Sequence, residues 1–86
     1  MSQETLIEFP AQIAVKAMGL NQDDFGLFVE QLVAPVLHPE PVIYTALESS
    51  GGKYLSVSIR FTASSLEQLH GVYAVLRAES RILYTL

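Results

Sequence analysis

Residues 48–61, ESSGGKYLSVSIRF, contain two adjacent glycines and a lysine directly before a segment in which apolar and polar residues alternate. An alternation with a period of two is typical of a β-strand that buries one face. The segment therefore predicts a strand over residues 54–62, and the kind of turn before it decides how the chain is built. The apolar positions of this strand are Leu55, Val57, Ile59 and Phe61.

The two glycines are compatible with either a phosphate-binding loop or a β-hairpin turn. A nucleotide phosphate loop has the pattern Gly-x-x-x-x-Gly-Lys-Ser/Thr and lies between a strand and a helix. Here Gly52-Lys53 is followed by a tyrosine and then by a strand. Glycines between two strands supply the positive φ angles that hairpin turns require. We therefore predict a hairpin whose first strand covers residues 42–48, and we keep a partner contact by Ser49 and Ser50 as a hypothesis.

Apolar residues spaced three and four apart predict two helices. The first is expected to follow Asn21, a favourable N-cap, with Asp23 and Asp24 in its positively charged first turn. Pro35 disfavours helical geometry in the residue before it, so this helix is expected to end or kink at Ala34.

The second helix is predicted to begin with a capping box of Ser64 and Glu67. Gly71 lies inside this helix, where it costs about 1 kcal/mol relative to alanine, and its presence there indicates close packing. Residues 9–19 alternate with a period of two and are predicted as the first strand. Residues 81–86 are predicted as a short last strand.

The predicted order of elements is β-α-β-β-α-β. Right-handed crossovers place both helices on the same face of the sheet, and the split β-α-β arrangement gives the antiparallel strand order 4-1-3-2. The predicted fold class is therefore α+β, a ferredoxin-like sandwich of a four-stranded antiparallel sheet with two helices on one face. Residues 1–86 are expected to form a single domain, in which the polar residues 1–8 are disordered.

The composition argues against several classes of function. The chain carries five basic and nine acidic residues, a net charge of −4, and it lacks the clustered Lys and Arg of nonspecific nucleic-acid binding. It has no cysteine, which excludes disulfides, iron–sulfur clusters and cysteine-based zinc sites. No apolar run approaches the ~18 residues of a membrane helix. We expect a cytoplasmic protein that binds no nucleic acid, membrane, metal or other cofactor.

Four segments of the chain resemble the YbeD-like family of small bacterial proteins: EFPAQIAVKAMG, SSGGKYLSVSI, SLEQLHGVYAVL and RILYTL. The resemblance covers residues 8–86 and departs from the family pattern at Ile13-Ala14, where an aromatic residue followed by proline or a small polar residue is expected. It implies a ferredoxin-like fold similar to the ACT-type regulatory domains of amino-acid metabolism, and it implies no particular activity. The most specific matches are Phe9-Pro10, Lys16, Met18-Gly19, Ser49-Ser50, Gly52, Tyr54, Ser56-Val57, Glu67-Gln68 and Tyr73.

The similarity to ACT-type domains also draws attention to Gly19, Leu20 and Asn21, the predicted turn between the first strand and the first helix. In ACT-like domains this turn binds small ligands at a dimer interface, because exposed N–H groups at a helix N-terminus attract a carboxylate. The alternative is a plain glycine turn followed by an N-cap. Asp23 and Asp24 favour the alternative, since they already occupy the positive helix end and repel an anion.

Lys16 and Arg60 are predicted to lie on the open face of the sheet, on neighbouring strands, and by alternation Ser56 and Ser58 share that face. Two cations with hydroxyl groups are able to hold a carboxylate or a phosphate. The alternative, which we prefer, is a solvated surface whose charges pair with Glu48 or with an acid of another chain.

Other chemistries of the same fold lack their residues. RNA-recognition domains stack bases on aromatic side chains of the open face, where the first and third strands supply only Tyr54. Acylphosphatases use an arginine-rich loop after the first strand, and this chain has no arginine before Arg60. His38 and His70 are far apart, and neither has another ligand at a spacing typical of a metal pair. No catalytic residue is therefore predicted.

The sequence is best interpreted as a noncatalytic regulatory module that senses a small metabolite or modulates a partner protein. The alternative is a pure interaction adaptor that binds through an edge strand or the open sheet face. We also expect a homodimer through an exposed edge strand or the open sheet face, because the second and fourth strands are unpaired edges and the second carries VIYTAL without a charge. The residues assigned to ligand or partner binding are Lys16, Gly19, Asn21, Ser49, Ser50, Gly52, Tyr54, Ser56 and Arg60.

Overall fold

The structure, a computed structural model, describes residues 7–86 and contains four strands and two helices in that range. The predicted order β-α-β-β-α-β is confirmed. Of the segment expected to be disordered, residues 1–6 lie outside the described residues, and Ile7 and Glu8 form an exposed irregular segment before the first strand. The elements are β1 (Ala11–Leu20), α1 (Phe25–Leu37), β2 (Ile43–Glu48), β3 (Tyr54–Ala63), α2 (Leu66–Arg77) and β4 (Tyr84–Thr85).

The strands form one antiparallel sheet in the order β2-β3-β1-β4, which confirms the predicted order 4-1-3-2 counted from the other edge. The long central pair joins β1 to β3, with Ala11 opposite Ala63 and Leu20 opposite Tyr54. β3 pairs on both sides, so the predicted interior position of residues 54–62 is confirmed. Within the described chain, β2 and β4 each pair with one strand and are the two edges.

The core lies between one face of the sheet and the two helices. Val15 and Ala17 of β1 are fully buried, as are alternate residues of β3, while the residues between them are exposed or half-buried. Buried side chains of α1 and α2 join these residues in one cluster, so both helices cover the same face. Gly71 of α2 packs closely, as predicted, because a Cβ there would lie 3.2 Å from Val36 Cγ1 of α1. The helical members of the buried cluster are Phe25, Val29, Val33, Leu37, Leu69, Val72 and Leu76.

The start of α1 differs from the prediction. The helix begins at Phe25, and its N-cap residue is Asp24, whose side chain makes no capping hydrogen bond. Asp23 and Asp24 have positive φ angles of 52° and 53° and precede the helix instead of occupying its first turn. Aspartate tolerates left-handed geometry better than most residues, which lets the chain reverse within a short turn. Asn21 is therefore not the N-cap, and its side chain has a different partner, described below.

α1 continues past Pro35 and ends at Leu37, so of the predicted end or kink at Ala34 the end is wrong. Proline has no N–H and cannot bond to the carbonyl four residues earlier, which costs about 3 kcal/mol inside a helix. Leu37 is fully buried, which contributes about 1.5–3 kcal/mol, and the His38 N–H bonds to the Ala34 oxygen at 2.9 Å. Tertiary packing of the last turn thus offsets the local penalty.

The N-terminus of α2 is shifted by one residue from the predicted capping box. Ser65 is the N-cap, and its hydroxyl accepts a hydrogen bond from the Gln68 N–H at 3.1 Å. The Gln68 side chain in turn accepts a hydrogen bond from the Ser64 N–H at 2.7 Å. Gln68 therefore takes the role predicted for Glu67, which is exposed. This register places Leu69 in the core, and burial of that side chain selects the cap.

β4 is shorter than the predicted segment 81–86. The Leu83 N–H bonds to the Met18 oxygen at 2.8 Å, and the Leu86 N–H bonds to the Lys16 oxygen at 2.9 Å. The pairing with β1 therefore extends beyond both ends of β4. As a consequence, Leu86 lies beside Lys16 at the edge of the sheet.

Candidate functional site

The loop between β2 and β3 is a hairpin turn, as predicted. Gly51 and Gly52 have φ angles of 86° and 77°, the left-handed geometry that favours glycine. The Ser49 hydroxyl accepts a hydrogen bond from the Tyr54 N–H at 3.0 Å, and the Ser49 N–H donates to the Tyr54 oxygen at 2.9 Å. Ser49 thus closes the hairpin, whereas Ser50 is exposed in the turn.

Asn21 joins the turn between β1 and α1 to this hairpin. Its side-chain Nδ2 donates to the Gly52 oxygen at 3.1 Å, and its N–H donates to the Lys53 oxygen at 2.9 Å. These bonds hold the end of β1 against the turn that connects β2 and β3. The structure therefore brings together three of the predicted binding residues, Asn21, Ser49 and Gly52, in contacts that stabilise the fold.

Gly19 lies inside β1, because the strand continues to Leu20. The prediction that residues 19–21 form the turn is therefore wrong. A Cβ at Gly19 would lie 2.5 Å from Phe25 Cζ and 2.6 Å from the main-chain oxygen of Arg81. The close approach of these atoms requires glycine, and its buried position indicates a structural role.

Arg81, which no sequence pattern indicates, braces the turn between β1 and α1. Its Nη2 donates to the main-chain oxygens of Gln22 at 3.0 Å and of Asp23 at 3.3 Å. The guanidinium carbon lies 4.1 Å from the ring centroid of Phe28, a distance typical of a cation–π interaction. Local patterns do not predict these bonds, because the partners are 59 and 58 residues apart in sequence. Beside the braced turn, Asp23 and Asp24 are exposed.

The pairing register identifies the side chains on the side of the sheet that the helices leave uncovered. Met18 of β1 lies opposite Ser56 of β3 and Tyr84 of β4. Ser56 in turn lies opposite Leu47 of β2. Residues directly opposite one another on neighbouring strands point to the same face. We call this surface the open face, and its positions are Gln12, Ala14, Lys16, Met18, Leu20, Ile43, Thr45, Leu47, Tyr54, Ser56, Ser58, Arg60, Thr62, Tyr84 and Leu86.

The open face is rich in exposed apolar side chains. A groove of about 210 Å³ opens among Met18, Leu47 and Tyr54. Exposed apolar side chains that share one face of a protein mark a candidate interaction site. The open face is therefore the surface best suited to a partner. Its most exposed apolar side chains are Leu47 at 75%, Ile43 at 64%, Leu86 at 59% and Tyr84 at 54%.

Lys16 and Arg60 both lie on the open face, as predicted. Lys16 is opposite Ser58, and Arg60 is opposite Ala14, so the two cations are diagonal neighbours on β1 and β3. Glu48, one acid considered as a partner for them, occupies a position of β2 that points to the helix side of the sheet. Tyr54 and Ser56 are also on the open face, so four of the nine predicted binding residues lie there. Asn21, Ser49 and Gly52 make the hairpin contacts, while Ser50 is exposed in the turn and Gly19 is buried in β1.

Residues that bind metals in other proteins are dispersed over the described chain. Among residues 7–86, no group of three or more His, Cys, Asp or Glu side chains is placed to hold a metal ion. His38 and His70 are both exposed, at the end of α1 and on α2. In the same range, no buried side-chain nitrogen or oxygen lacks a hydrogen-bond partner. The two described helices are too short or too polar to span a membrane.

Several bacterial proteins are similar to this chain in sequence. Residues 4–86 match a family model described as Protein of unknown function (DUF493). The chain is 37% identical over 84 residues to a UPF0250 protein of Ralstonia nicotianae, a match that covers 93% of this chain and 84% of the relative. It is 40% identical over 73 residues to a UPF0250 protein of Edwardsiella ictaluri, which covers 83% of this chain and 80% of the relative.

A solved structure is similar to this chain in fold. The solution structure of protein HP0495 from H. pylori superposes with a TM-score of 0.75, over 99% of this chain and 90% of that chain. The two sequences are 14% identical, so the similarity concerns the fold alone. It supports the arrangement of one sheet and two helices described above.

Proposed function

The chain belongs to the DUF493 family of proteins of unknown function, and from this premise we propose that it is a noncatalytic regulatory module that acts by binding another polypeptide. Its similarity to UPF0250 proteins confirms the YbeD-like resemblance of the sequence. Since family membership names no activity, the proposed function is inferred from the surface of the molecule. The regulatory role is proposed by analogy with ACT-type domains.

The observation that supports this function is the uncovered apolar surface of the sheet. Both helices pack on the other side, so Ile43, Leu47 and Tyr84 remain mostly exposed within the described chain. Apolar surface removed from water contributes roughly 25 cal/mol per Å². A polypeptide that covers the open face therefore gains free energy from side chains that contribute little to the fold of the isolated chain.

A second copy of the chain is one polypeptide that the edge strand β2 fits. The Ser49 N–H donates to the Tyr54 oxygen at the hairpin end of the β2–β3 pair. Counting back from Ser49, every second residue of β2 therefore makes its main-chain hydrogen bonds to β3. The residues between them, Tyr44, Ala46 and Glu48, direct their main-chain groups away from the sheet. Two β2 strands that pair antiparallel about Ala46 use these free groups. Because β2 carries no charge before Glu48 to discourage pairing, we include a homodimer through β2 in the proposed function.

A small anionic metabolite is the second candidate ligand. Lys16, Ser58 and Arg60 are neighbours on the open face, and two cations with a hydroxyl group suit a carboxylate or a phosphate. A depression of about 440 Å³ beside Arg60 has room for a ligand of amino-acid size. Its lining includes Glu40, whose charge opposes an anion. Polypeptide binding is therefore the leading proposal.

Capture experiments with matched variants test polypeptide binding through the open face. Leu47→Glu places a charge on that face, and Leu27→Glu makes the same change at an exposed leucine of α1. We expect the tagged wild-type chain and Leu27→Glu to retain the same polypeptide from a cell extract, and Leu47→Glu to lose it. Retention by all three proteins excludes the open face, and recovery of no polypeptide by any of them contradicts the proposed function.

Two solution measurements test the remaining parts. Size-exclusion chromatography with light scattering is expected to give the mass of a dimer, and a monomer mass at high concentration contradicts the homodimer. Thermal shifts against a panel of amino acids, carboxylates and nucleotides test the metabolite. A shift that the wild-type protein shows and Lys16→Glu loses supports metabolite sensing, and no shift with any compound contradicts it.

A further inference from the structure

Charges are unevenly distributed over the two sides of the sheet. The strand positions of the open face carry two cations, Lys16 and Arg60, and no acidic residue. The whole chain has nine acidic and five basic residues, so the sign of charge on this face is opposite to that of the chain. Glu40 opposes an anion in the depression on the Thr62 side of Arg60, which Lys16 does not line, and Glu48 lines the groove beside Met18. The centre of the open face is therefore positive on an acidic protein and attracts anionic groups, and its exposed apolar side chains lie beside that centre on the edge strands.

The positions of the two cations restrict the form of the anionic partner. Diagonal neighbours on antiparallel strands are about 7–8 Å apart. Acidic residues three or four apart on a helix have Cβ atoms about 5–6 Å apart. The side chains of Lys16 and Arg60 are long enough to bridge the difference between this spacing and the spacing of the two cations. An extended segment that lies flat on this face has main-chain N–H and C=O groups without hydrogen-bond partners. A helix pairs its main-chain groups with one another. The surface therefore favours a helix.

We propose that the open face binds an amphipathic helix of another protein, with apolar side chains over Met18 and Leu47 and with two carboxylates, three or four residues apart, over Lys16 and Arg60. This inference rests on the proposed function and names the chemistry of the polypeptide. The groove of about 210 Å³ beside Met18 accepts one apolar side chain of that helix. Burial of the groove supplies affinity, and the carboxylates select the orientation.

Two other occupants fit the open face less well. A second copy placed face to face brings two Lys16 and two Arg60 side chains together, and like charges at the centre of an interface oppose association. Single-stranded RNA binds this kind of sheet by stacking on aromatic side chains of the central strands. On those strands the open face supplies one aromatic side chain, Tyr54, beside Met18, Ser56 and Ser58. An acidic amphipathic helix matches the two cations of these strands and the exposed apolar side chains of the edge strands beside them.

Photo-crosslinking in the cell that makes the protein tests this inference. A photoreactive amino acid replaces Ser56 on the open face and, in a matched control, Gln31, an exposed residue of α1. The tagged chain is recovered with its crosslinked products, which are digested and sequenced. The expected peptide at position 56 has a helical apolar stripe flanked by two acidic residues three or four apart. The control at position 31 is not expected to crosslink to that peptide.

Charge-reversal variants supply a second readout. Lys16→Glu and Arg60→Glu are each expected to lower the yield of the crosslink at position 56 about tenfold. Arg77→Glu changes the net charge equally at an exposed position of α2 and is expected to leave the yield unchanged. Far-UV circular dichroism spectra that match the wild-type spectrum show that the variants are folded.

Several outcomes overturn the inference. One is a crosslink at position 56 to RNA, to a second copy of the chain or to a peptide without paired acidic residues. Another is the lack of any protein crosslink at position 56. Unchanged yields in Lys16→Glu and Arg60→Glu also overturn it. If the chain still retains a polypeptide that crosslinks only at position 31, the proposed function stands and this inference alone fails.

Discussion

Replacing Gly19 by alanine is expected to destabilise the protein strongly, because atoms of the core and of the main chain approach this position closely. A Cβ at this position would lie 2.5 Å from Phe25 Cζ and 2.6 Å from the main-chain oxygen of Arg81, and real Cβ atoms essentially never approach other atoms within 3.0 Å. Phe25 is 2% exposed and packed in the core, so its ring has little room to turn away. The main-chain oxygen moves only if the segment before β4 moves. Gly19→Ala therefore requires the backbone to shift.

The magnitude follows from the two overlaps. Overpacking of a core typically costs 1–3 kcal/mol and occasionally more, and two atoms within 3.0 Å, one of them in the main chain, place Gly19→Ala at the upper end, at about 3–4 kcal/mol. Alanine returns about 0.4–1 kcal/mol by restricting the unfolded chain. We expect a net loss of about 2–3 kcal/mol in the free energy of unfolding. A chain of this length is stable by roughly 4–13 kcal/mol, so the loss is large. It corresponds to a fall in Tm of roughly 10–20 °C.

Urea unfolding at 25 °C measures the loss, and an unchanged m-value shows that the same surface is exposed on unfolding. Gly51→Ala is the control, because a Cβ at Gly51 would have no atom within 4 Å and only the positive φ of 86° opposes the substitution. We expect Gly51→Ala to lower the free energy of unfolding by about 1 kcal/mol. In a Phe25→Leu background, which removes the Cζ atom, Gly19→Ala is expected to cost less. A loss below about 1 kcal/mol for Gly19→Ala would refute the packing argument and make Gly19 a candidate ligand contact again.

Three further changes test other parts of the structure. Asn21→Ala removes the side-chain hydrogen bond to the hairpin and is expected to lower the free energy of unfolding in urea by about 1 kcal/mol. An unchanged free energy of unfolding would mean that this hydrogen bond does not stabilise the fold. Arg81→Met keeps an apolar contact with Phe28 but removes two hydrogen bonds, and the same measurement should show a loss of about 1–2 kcal/mol if Arg81 braces the turn. Ala46→Pro removes a main-chain N–H that points outward from β2 and is expected to give folded monomers in light scattering. The control Thr45→Pro removes a main-chain hydrogen bond to β3 and is expected to disrupt folding. If the Ala46→Pro variant is a dimer, pairing through β2 is contradicted.

The order of strands and helices was predictable because each element buries a single face. β3 shows this most clearly, since Val57, Ile59 and Phe61 are buried and the residues between them are not. The same condition produces the helical spacing of the apolar residues in α1 and α2. Once the elements are known, right-handed crossovers restrict the arrangement of the four strands.

The ends of the elements were less predictable, because they depend on contacts between distant residues. Ser64 and Ser65 satisfy the local rules for a cap almost equally, and the register of α2 against the core selects Ser65. Asn21 is a favourable N-cap by its residue type, but its side chain bonds to the hairpin instead. Pro35 is tolerated within α1 because Leu37 beyond it is buried. In each case tertiary packing overrides a local preference.

The candidate site was predictable at its centre and not at its margins. Alternation alone places Lys16, Ser56 and Arg60 on one face of the sheet, and no knowledge of the register is needed. Tyr84 and Leu86 join that face through the pairing of β4 with β1. A strand of two residues is too short to show a period, so its exposed apolar side chains were missed.

The contacts at the hairpin end of the sheet determine how the open face meets a partner. Asn21 ties the end of β1 to the hairpin, and Arg81 ties the segment before β4 to the turn that follows β1. All four strands are therefore held before binding, and the open face loses little conformational freedom when it is covered. A helix that is disordered when free must fold on this face, which costs about 2–5 kcal/mol of the interaction free energy. Most of the entropic cost then falls on the partner, so the proposed contact is specific but readily reversed, which is the behaviour that the proposed regulatory role requires.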